Sequence, residues 1–138
     1  MRLSEYAELS DDLTLHYEQA GDGPQTVVLI PGWTMSTRVF ERQLQHFEGS
    51  TQFRAIACDP RGQGLSSKPL DGHTYRQHGR DLAAFLDKLG LRDVVLAGWS
   101  NGVFDAMAYV NQFGIENLKG LVVIDGTPKG LGDDKTRE

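Results

Sequence analysis

The 138-residue sequence contains little cysteine and no long apolar segment, and each shortage excludes a class of protein. Cys58 is the single cysteine, so an internal disulfide is impossible and a reducing compartment is favoured. No apolar run approaches the roughly 20 residues that span a bilayer. Residues 1–20 carry charges throughout and lack the apolar stretch of a secretory signal. We therefore expect a cytoplasmic protein without a membrane partner.

Positive charge is also sparse. The 14 Lys and Arg residues face 19 Asp and Glu residues, which gives a formal net charge of −5, and the basic residues do not cluster. Because a nucleic-acid surface needs a basic patch, we expect no nucleic-acid partner. The Gly62-Gln63-Gly64 sequence follows an apolar run, but the third glycine and the following helix of a nucleotide-binding loop are missing. No metal-ligand cluster is visible either, so we expect no cofactor and no metal.

What the sequence does contain is an alternation of strand and helix patterns separated by turns rich in glycine, of which there are 16. Two alternating segments, residues 5–9 and 13–20, predict a hairpin. Further strands are predicted over 26–30, 53–58, 93–98 and 118–125, and helices over 36–47, 74–90 and 101–113. This order predicts a three-layer α/β/α sandwich with a mostly parallel sheet.

The segment VVLAGWSNG, residues 94–102, places Ser100 between Gly98 and Gly102 where a predicted strand meets a predicted helix. A G-x-S-x-G pattern at such a junction is typical of a nucleophilic serine on a sharp turn, where larger residues at the glycine positions would collide. The serine then lies over a helix N-terminus, whose N–H groups favour negative charge. The N–H of Asn101 is a candidate oxyanion donor. A turn with a capping serine is the alternative, and it explains this context less well.

A second oxyanion donor is expected in the turn after the third strand, Pro31-Gly32-Trp33-Thr34. The backbone N–H of Trp33 is the candidate, and Gly32 permits close approach. The alternative is a plain turn that ends a strand. We also predict an apolar acyl pocket for small apolar or aromatic esters, lined by Trp33, Met35, Trp99 and Phe104.

Three segments in this order, IPGW (30–33), DPRGQGLSS (59–67) and GWSNG (98–102), resemble the N-terminal part of an α/β-hydrolase-fold enzyme over residues 10–125. The stretch from residue 59 to 102 is most similar to the branch of cofactor-free haloperoxidases (perhydrolases) and aryl esterases. The resemblance implies a strand order of 1-2-4-3-5-6, Ser100 as nucleophile, and Trp33 and Asn101 at the oxyanion hole. Pro31 replaces the family's common histidine, and Asn101 replaces the branch's common methionine.

The general base is missing from the pattern. A serine hydroxyl needs a neighbouring base, and the resemblance implies a histidine late in the chain, yet no histidine follows Ser100. We expect His16 to be a surface or cross-strand residue, His46 to be solvated, His73 to have a loop role near the site rim and His78 to be a core residue. None of the four is predicted to be the base.

The acid is open between two interpretations. Asp125 ends the predicted strand LVVID, and some α/β-hydrolases take their acid from that strand. Alternatively, Asp125 is a turn residue that opens the DGTP sequence. We expect Asp59 and Arg61 to hold their loop together and Cys58 to be inert packing.

Two functional hypotheses remain. The first is that the full-length form is a serine hydrolase acting on carboxylic esters, or with hydrogen peroxide as acceptor, through an acyl-enzyme on Ser100. The second is a catalytically incomplete fragment or a non-enzymatic binding module that lacks the triad histidine. We interpret residues 1–125 as the N-terminal part of a truncated hydrolase domain and residues 126–138 as a polar, disordered tail. An open edge at the last strand predicts self-association.

Overall fold

The computed structural model describes residues 1–127, and a six-stranded sheet organises them. The strands are β1 (Arg2–Ser10), β2 (Leu13–Ala20), β3 (Gln25–Ile30), β4 (Phe53–Cys58), β5 (Val94–Trp99) and β6 (Leu118–Ile124). Their order in the sheet is β1-β2-β4-β3-β5-β6, as the resemblance implied. The β1–β2 hairpin and the β2–β4 pair are antiparallel, whereas β3, β4, β5 and β6 are parallel. The predicted mostly parallel sheet is confirmed.

In the described part of the chain, three α-helices cover the sheet: α1 (Glu41–Phe47), α2 (Tyr75–Lys88) and α3 (Gly102–Phe113). The single helix predicted over 36–47 is instead a 3₁₀ turn, Thr37–Phe40, followed by α1. Phe40 interrupts it because its φ of −100° and ψ of 15° lie outside the helical region, and this conformation accompanies burial of its ring. The helix α2 begins at the cap Thr74, whose side chain accepts the N–H of Gln77.

The core lies on both faces of the central strands because successive strand residues point to opposite sides. On one face, α2 and α3 pack against the sheet with Val28, Ile30, Ile56 and Leu96 among the buried residues. On the other face, α1 packs with Leu29, Ala55, Ala57 and Ala97. This is the α/β/α sandwich predicted from the sequence.

The last strand, β6, differs from the others because both of its faces are accessible. The side chains of Leu121, Val122, Val123 and Ile124 are between 39 and 44% exposed. Within residues 1–127, β6 pairs only with β5 and forms the edge of the sheet. The open apolar edge expected from the sequence is present, while self-association through it stays a prediction.

The C-terminal residues, the helices and the Cys58 thiol each bear on a prediction made from the sequence. Apart from Gly126 and Thr127, the tail predicted over 126–138 lies outside the described residues. No helix between residues 1 and 127 has the length and apolar character needed to cross a membrane. Burial raises the pKa of the Cys58 thiol, in keeping with a packing role. The cytoplasmic location stays a prediction.

Candidate active site

Ser100 lies on a sharp turn between β5 and α3, which we call the serine turn (residues 98–102). Its backbone has a φ of +53°, a left-handed conformation that costs free energy for a residue with a Cβ atom. A Cβ atom at Gly98 would stand 2.6 Å from the carbonyl oxygen of Gly102, and one at Gly102 would overlap the carbonyl oxygen of Ile30. The two glycines therefore permit a turn in which an exposed serine follows directly on a buried strand.

The turn after β3, residues 32–35, lies against this serine, and we call it the Trp33 turn. A Cβ atom at Gly32 would be 3.4 Å from the Cβ atom of Ser100. The N–H of Met35 donates a 3.1 Å hydrogen bond to the carbonyl of Gly32, and Thr34 has a φ of +64°. Within residues 1–127, the backbone N–H groups of Trp33 and Asn101 have no hydrogen-bond acceptor. Two unpaired N–H groups thus belong to the two segments that meet at Ser100.

The side chain of Asn101 is held by a neighbouring helix. The Tyr75 hydroxyl, on α2, donates a 2.7 Å hydrogen bond to Asn101 Oδ1. The Tyr75 ring also packs edge-on against Phe104, with centroids 5.2 Å apart. Sequence reasoning missed this contact between Tyr75 and Asn101, for which the sequence carries no local signal.

A cleft of about 560 Å³ opens beside the serine turn. Its lining includes Trp33, Gln63, His73, Tyr75, His78 and Asn101. Of the residues predicted to line a pocket, Trp33 borders this cleft, whereas Met35, Trp99 and Phe104 do not. The cleft is consequently more polar than the apolar pocket that the sequence suggested.

The histidine expected at the surface or across the hairpin, His16, is 3% exposed and makes a buried pair. Its Nδ1 lies 2.8 Å from Asp59 Oδ2, and its Nε2 lies 2.8 Å from the hydroxyl of Ser4 on β1. The cross-strand contact is therefore present, but the expected exposure is wrong. Both ring nitrogens have partners, Asp59 after β4 and Ser4 on β1, which satisfies a histidine in this buried position.

The other three histidines also have defined surroundings. His46 is exposed, as predicted. His73 is exposed at the cleft, with Nε2 2.7 Å from the carbonyl oxygen of Pro69. His78 is half-buried and also borders the cleft. No histidine among residues 1–127 makes a hydrogen bond to Ser100.

His78 and Asp105 join α2 to α3. Their Nδ1 and Oδ1 atoms are 3.1 Å apart. Burial works to lower the pKa of His78, but the hydrogen bond and the charge of the Asp105 carboxylate outweigh it, so this pKa lies above its ordinary value. Burial raises the pKa of Asp105. The pair is a structural tie behind the cleft.

The loop after β4 is held by its own charged residues, as predicted. The Asp59 carboxylate accepts the backbone N–H groups of Thr37 at 2.7 Å and Leu65 at 2.9 Å. Arg61 donates to both carboxylate oxygens of Asp81, at 2.6 and 2.8 Å. No group of three or more His, Cys, Asp or Glu within residues 1–127 is arranged to hold a metal ion.

Gln63 is another site residue to which sequence reasoning assigned no functional role. Its Nε2 donates to the carbonyl oxygens of Gly32 at 3.0 Å and Met35 at 2.8 Å, the two ends of the Trp33 turn. It follows the family-like DPRG sequence, but its partners lie 31 and 28 residues earlier in the chain, so no local pattern predicts them.

Asp125 lies beside the serine turn at the end of β6. The N–H of Ser100 donates a 2.8 Å hydrogen bond to the carbonyl of Ile124. Asp125 itself has a φ of +47° and an exposed side chain. Both interpretations of this residue, acid and turn residue, fit the position.

Comparison with known proteins places the chain in a family. Residues 25–137 match the family model for the alpha/beta hydrolase fold. A non-heme haloperoxidase from Rhodococcus erythropolis is 32% identical over 123 residues, which is 89% of this chain and 44% of that protein. The bifunctional esterase/perhydrolase DCH from Acinetobacter calcoaceticus is 29% identical over 126 residues, with 89% and 45% covered.

Solved structures agree with this similarity. The crystal structure of bromoperoxidase from Bacillus anthracis matches with a TM-score of 0.83 and 31% identity, covering 97% of this chain and 52% of that chain. The chain spans less than half the length of the two curated relatives above.

Proposed function

The chain belongs to the alpha/beta hydrolase fold family, and from this premise we propose that it carries the nucleophile and oxyanion donors of a serine ester hydrolase. The observation that supports the proposal is the serine turn itself. An exposed Ser100 is held at a φ of +53°, and the N–H groups of Trp33 and Asn101, which are unpaired within residues 1–127, belong to the segments that meet there. A simple surface turn has no need of this strained backbone or of two tight glycines.

In the proposed reaction, a base removes the proton of the Ser100 hydroxyl as its Oγ attacks the ester carbonyl carbon. The carbonyl electron pair moves to oxygen, and the N–H groups of Trp33 and Asn101 stabilise the resulting oxyanion. When the tetrahedral intermediate collapses, the bond to the alcohol oxygen breaks and the alcohol leaves with a proton. Water then releases the acid from the acyl-enzyme; hydrogen peroxide in the same step releases a peracid.

No histidine within residues 1–127 hydrogen-bonds Ser100, so the proposed base is a group outside these residues. Removing the histidine of a serine triad lowers kcat by about 10⁶-fold, yet oxyanion stabilisation and binding leave about 10³-fold catalysis over water. Ser100 in this chain is therefore a slow nucleophile. Added imidazole, a small external base, is expected to accelerate it.

The proposed substrates are small esters with an apolar or aromatic group. The indole of Trp33, 73% exposed at the cleft, offers an apolar surface for such a group. The polar side chains of Tyr75 and Asn101 border the same cleft and accommodate the ester's polar atoms. One curated relative is named as an esterase and perhydrolase, which supports this class.

The second candidate is a catalytically incomplete fragment or a binding module. The lack of a histidine bonded to Ser100 within residues 1–127 favours it. The exposed apolar edge of β6 would then be a surface for self-association.

Trapping the acyl-enzyme separates the two candidates. The chain is incubated with p-nitrophenyl acetate and imidazole, and the acetylated residue is located by peptide mass mapping. We expect acetylation at Ser100 that is absent from Ser100→Ala and retained in Ser10→Ala, a control at an exposed serine of the hairpin turn. Acetylation that is equal in Ser100→Ala and the wild type would favour the non-catalytic candidate.

A further inference from the structure

We propose that Gln63 is a positioning residue that aims the Trp33 N–H at the oxyanion, an inference that rests on the proposed role of Ser100 and Trp33. Gln63 Nε2 donates to the carbonyl oxygen of Gly32 at 3.0 Å and to that of Met35 at 2.8 Å. The side chain thus bridges the two ends of the Trp33 turn.

The geometry of the peptide bond makes the contact with Gly32 directly relevant. The carbonyl of Gly32 and the N–H of Trp33 belong to one planar peptide unit, which is trans, so they point in opposite directions. A donor that fixes the carbonyl on one side therefore fixes the direction of the N–H on the other. A hydrogen bond to the carbonyl also polarises the same unit, which strengthens its N–H as a donor.

The Trp33 turn has few other restraints. Trp33, Thr34 and Met35 are consecutive exposed residues, so core packing does not hold them. Thr34 is β-branched and has a φ of +64°, a conformation that such residues rarely adopt. Within the turn, the single hydrogen bond between backbone groups joins Met35 N–H to Gly32 at 3.1 Å. A strained, exposed turn of this kind needs an external clamp to persist in one conformation.

Gln63 is well suited to that role because its own loop is fixed. Its backbone N–H donates to Pro60, and its carbonyl accepts the N–H of Ser66. The neighbouring Asp59 carboxylate accepts the N–H groups of Leu65 in the same loop and Thr37 just beyond the Trp33 turn. Gln63 is 8% exposed, so its hydrogen bonds compete little with water.

An amide is required at this position because both partners are carbonyl oxygens. The Nε2 group carries two hydrogens and serves both acceptors, whereas a carboxylate would place negative charge against them. An oxyanion donor acts over about 2.7–3.1 Å, and a misplacement of about 1 Å costs on the order of 10²-fold in rate. Loss of the clamp is therefore expected to slow the chemical step and to leave ligand affinity nearly unchanged.

The test compares Gln63→Met with a matched control, Gln112→Met. Gln112 on α3 also donates through Nε2 to two backbone carbonyls, those of Arg76 and Ala108, both at 2.9 Å. It lies 11 residues beyond Asn101, roughly 16 Å along the helix. Both variants lose two hydrogen bonds to backbone carbonyls. Of the two glutamines, Gln63 bonds to the Trp33 turn and Gln112 does not.

The readout is the rate at which a fluorophosphonate labels Ser100, measured by intact mass with imidazole at a fixed concentration. The phosphonyl oxygen occupies the place of the oxyanion as Oγ bonds to phosphorus and fluoride leaves. We expect Gln63→Met to lower the maximal labelling rate by about tenfold or more, with the half-saturating reagent concentration changed less than about twofold. Gln112→Met should label within about twofold of wild type. Equal rates for the two variants would overturn the proposal.

Amide hydrogen exchange does not depend on the reaction at Ser100, so it separates the failure of this proposal from the failure of the proposed function. If wild-type Ser100 is not labelled, the proposed function fails for this chain. The clamp is then judged by hydrogen exchange of the Met35 N–H, which bonds to Gly32 within the turn. Exchange at least about tenfold faster in Gln63→Met than in Gln112→Met supports the clamp, and equal exchange contradicts it.

A second variant keeps the proposal testable if Gln63→Met does not fold. If circular dichroism shows that Gln63→Met is unfolded, Gln63→Glu replaces it, since glutamate has nearly the same shape as glutamine. It is expected to slow labelling and to speed Met35 exchange because its carboxylate faces two carbonyl oxygens. In the wild-type chain, NMR scalar couplings from Gln63 Nε2 to the carbonyl carbons of Gly32 and Met35 report the bonds directly, and their absence would overturn the proposal.

Discussion

The N–H of Ser100 donates a 2.8 Å hydrogen bond to the carbonyl of Ile124, the last residue of β6. This contact joins the serine turn to the strand at the open edge of the sheet. It also places Asp125, the next residue, beside the serine turn, where its side chain is exposed. The candidate site is thus held from both neighbouring strands, by β3 through the Trp33 turn and by β6 through Ile124.

The two glycines of the serine turn should resist substitution. In Gly98→Ala, the new Cβ atom would stand 2.6 Å from the Gly102 carbonyl oxygen, so the backbone must shift. We expect the free energy of unfolding to fall by about 3 kcal/mol in urea denaturation. Gly49→Ala is the control because a Cβ atom there meets nothing within 4 Å, and its change should stay within about 0.5 kcal/mol. Equal effects in the two variants would contradict the close approach.

The carboxylate of Asp59 should be a major contributor to stability. In Asp59→Ala, the N–H groups of Thr37 and Leu65 lose their acceptor and His16 loses its buried partner. We expect a loss of about 3 kcal/mol or more, measured by thermal or urea unfolding. The control is Asp87→Ala, which removes an exposed ion pair with Arg92 and should cost less than about 1 kcal/mol. A loss of less than 1 kcal/mol for Asp59→Ala would refute this role.

The tie between His78 and Asp105 should make stability depend on pH. The raised pKa of His78 means that the folded chain holds this proton more tightly than the unfolded chain; Asp81 adds to the effect and Arg61 opposes it. The contribution is complete below about pH 6.5 and is lost as the pH rises through the folded-state pKa. We expect the stability advantage of wild type over His78→Gln to shrink between about pH 6 and pH 9.

Unfolding midpoints in urea at several pH values measure this advantage. The exposed His46 provides the control, since His46→Gln should follow the wild type across the same range. An advantage for wild type over His78→Gln that is constant, or that grows with pH, would contradict a protonated His78 in the fold.

The apolar edge of β6 should cause association of the 138-residue chain. Leu121, Val122, Val123 and Ile124 are each more than a third exposed, and an open edge pairs readily with a second chain. We expect the apparent mass from light scattering to rise with concentration and Val122→Lys to reduce this rise. Leu70→Lys, which adds the same charge at an exposed loop residue, should not reduce it. A clean monomer at high concentration would show that the edge is inert.

Local sequence signals were sufficient for the strands, the helices and the serine turn, whereas the order of the strands in the sheet followed from the family resemblance. The glycines on either side of Ser100 and the strand and helix patterns around it all lie within residues 93–113, so the sequence displays them together. The hairpin followed from two alternating segments, and the buried strands followed from short apolar runs. The bounds of β5 differ from the predicted ones by one residue at each end, and those of α3 differ by one residue at its start.

Contacts between distant residues were not predictable. The buried His16 pairs with Asp59, 43 residues away, and Gln63 bonds to a turn 31 residues earlier. The bond between Tyr75 and Asn101 spans 26 residues. Each depends on the packed arrangement of β-strands and loops, which period and propensity do not specify. The sequence alone therefore assigned the glycines of the serine turn but not the contacts that Gln63 and Tyr75 make at the candidate site.

The nucleophilic character of Ser100 is tested most directly by intact mass after fluorophosphonate treatment, with and without imidazole, in the wild type and Ser100→Ala. We expect one adduct in the wild type, mapped to Ser100, that forms slowly alone and faster with imidazole, and no adduct in Ser100→Ala. A folded wild-type chain that gains no adduct even with imidazole, or an adduct that persists in Ser100→Ala, would contradict it.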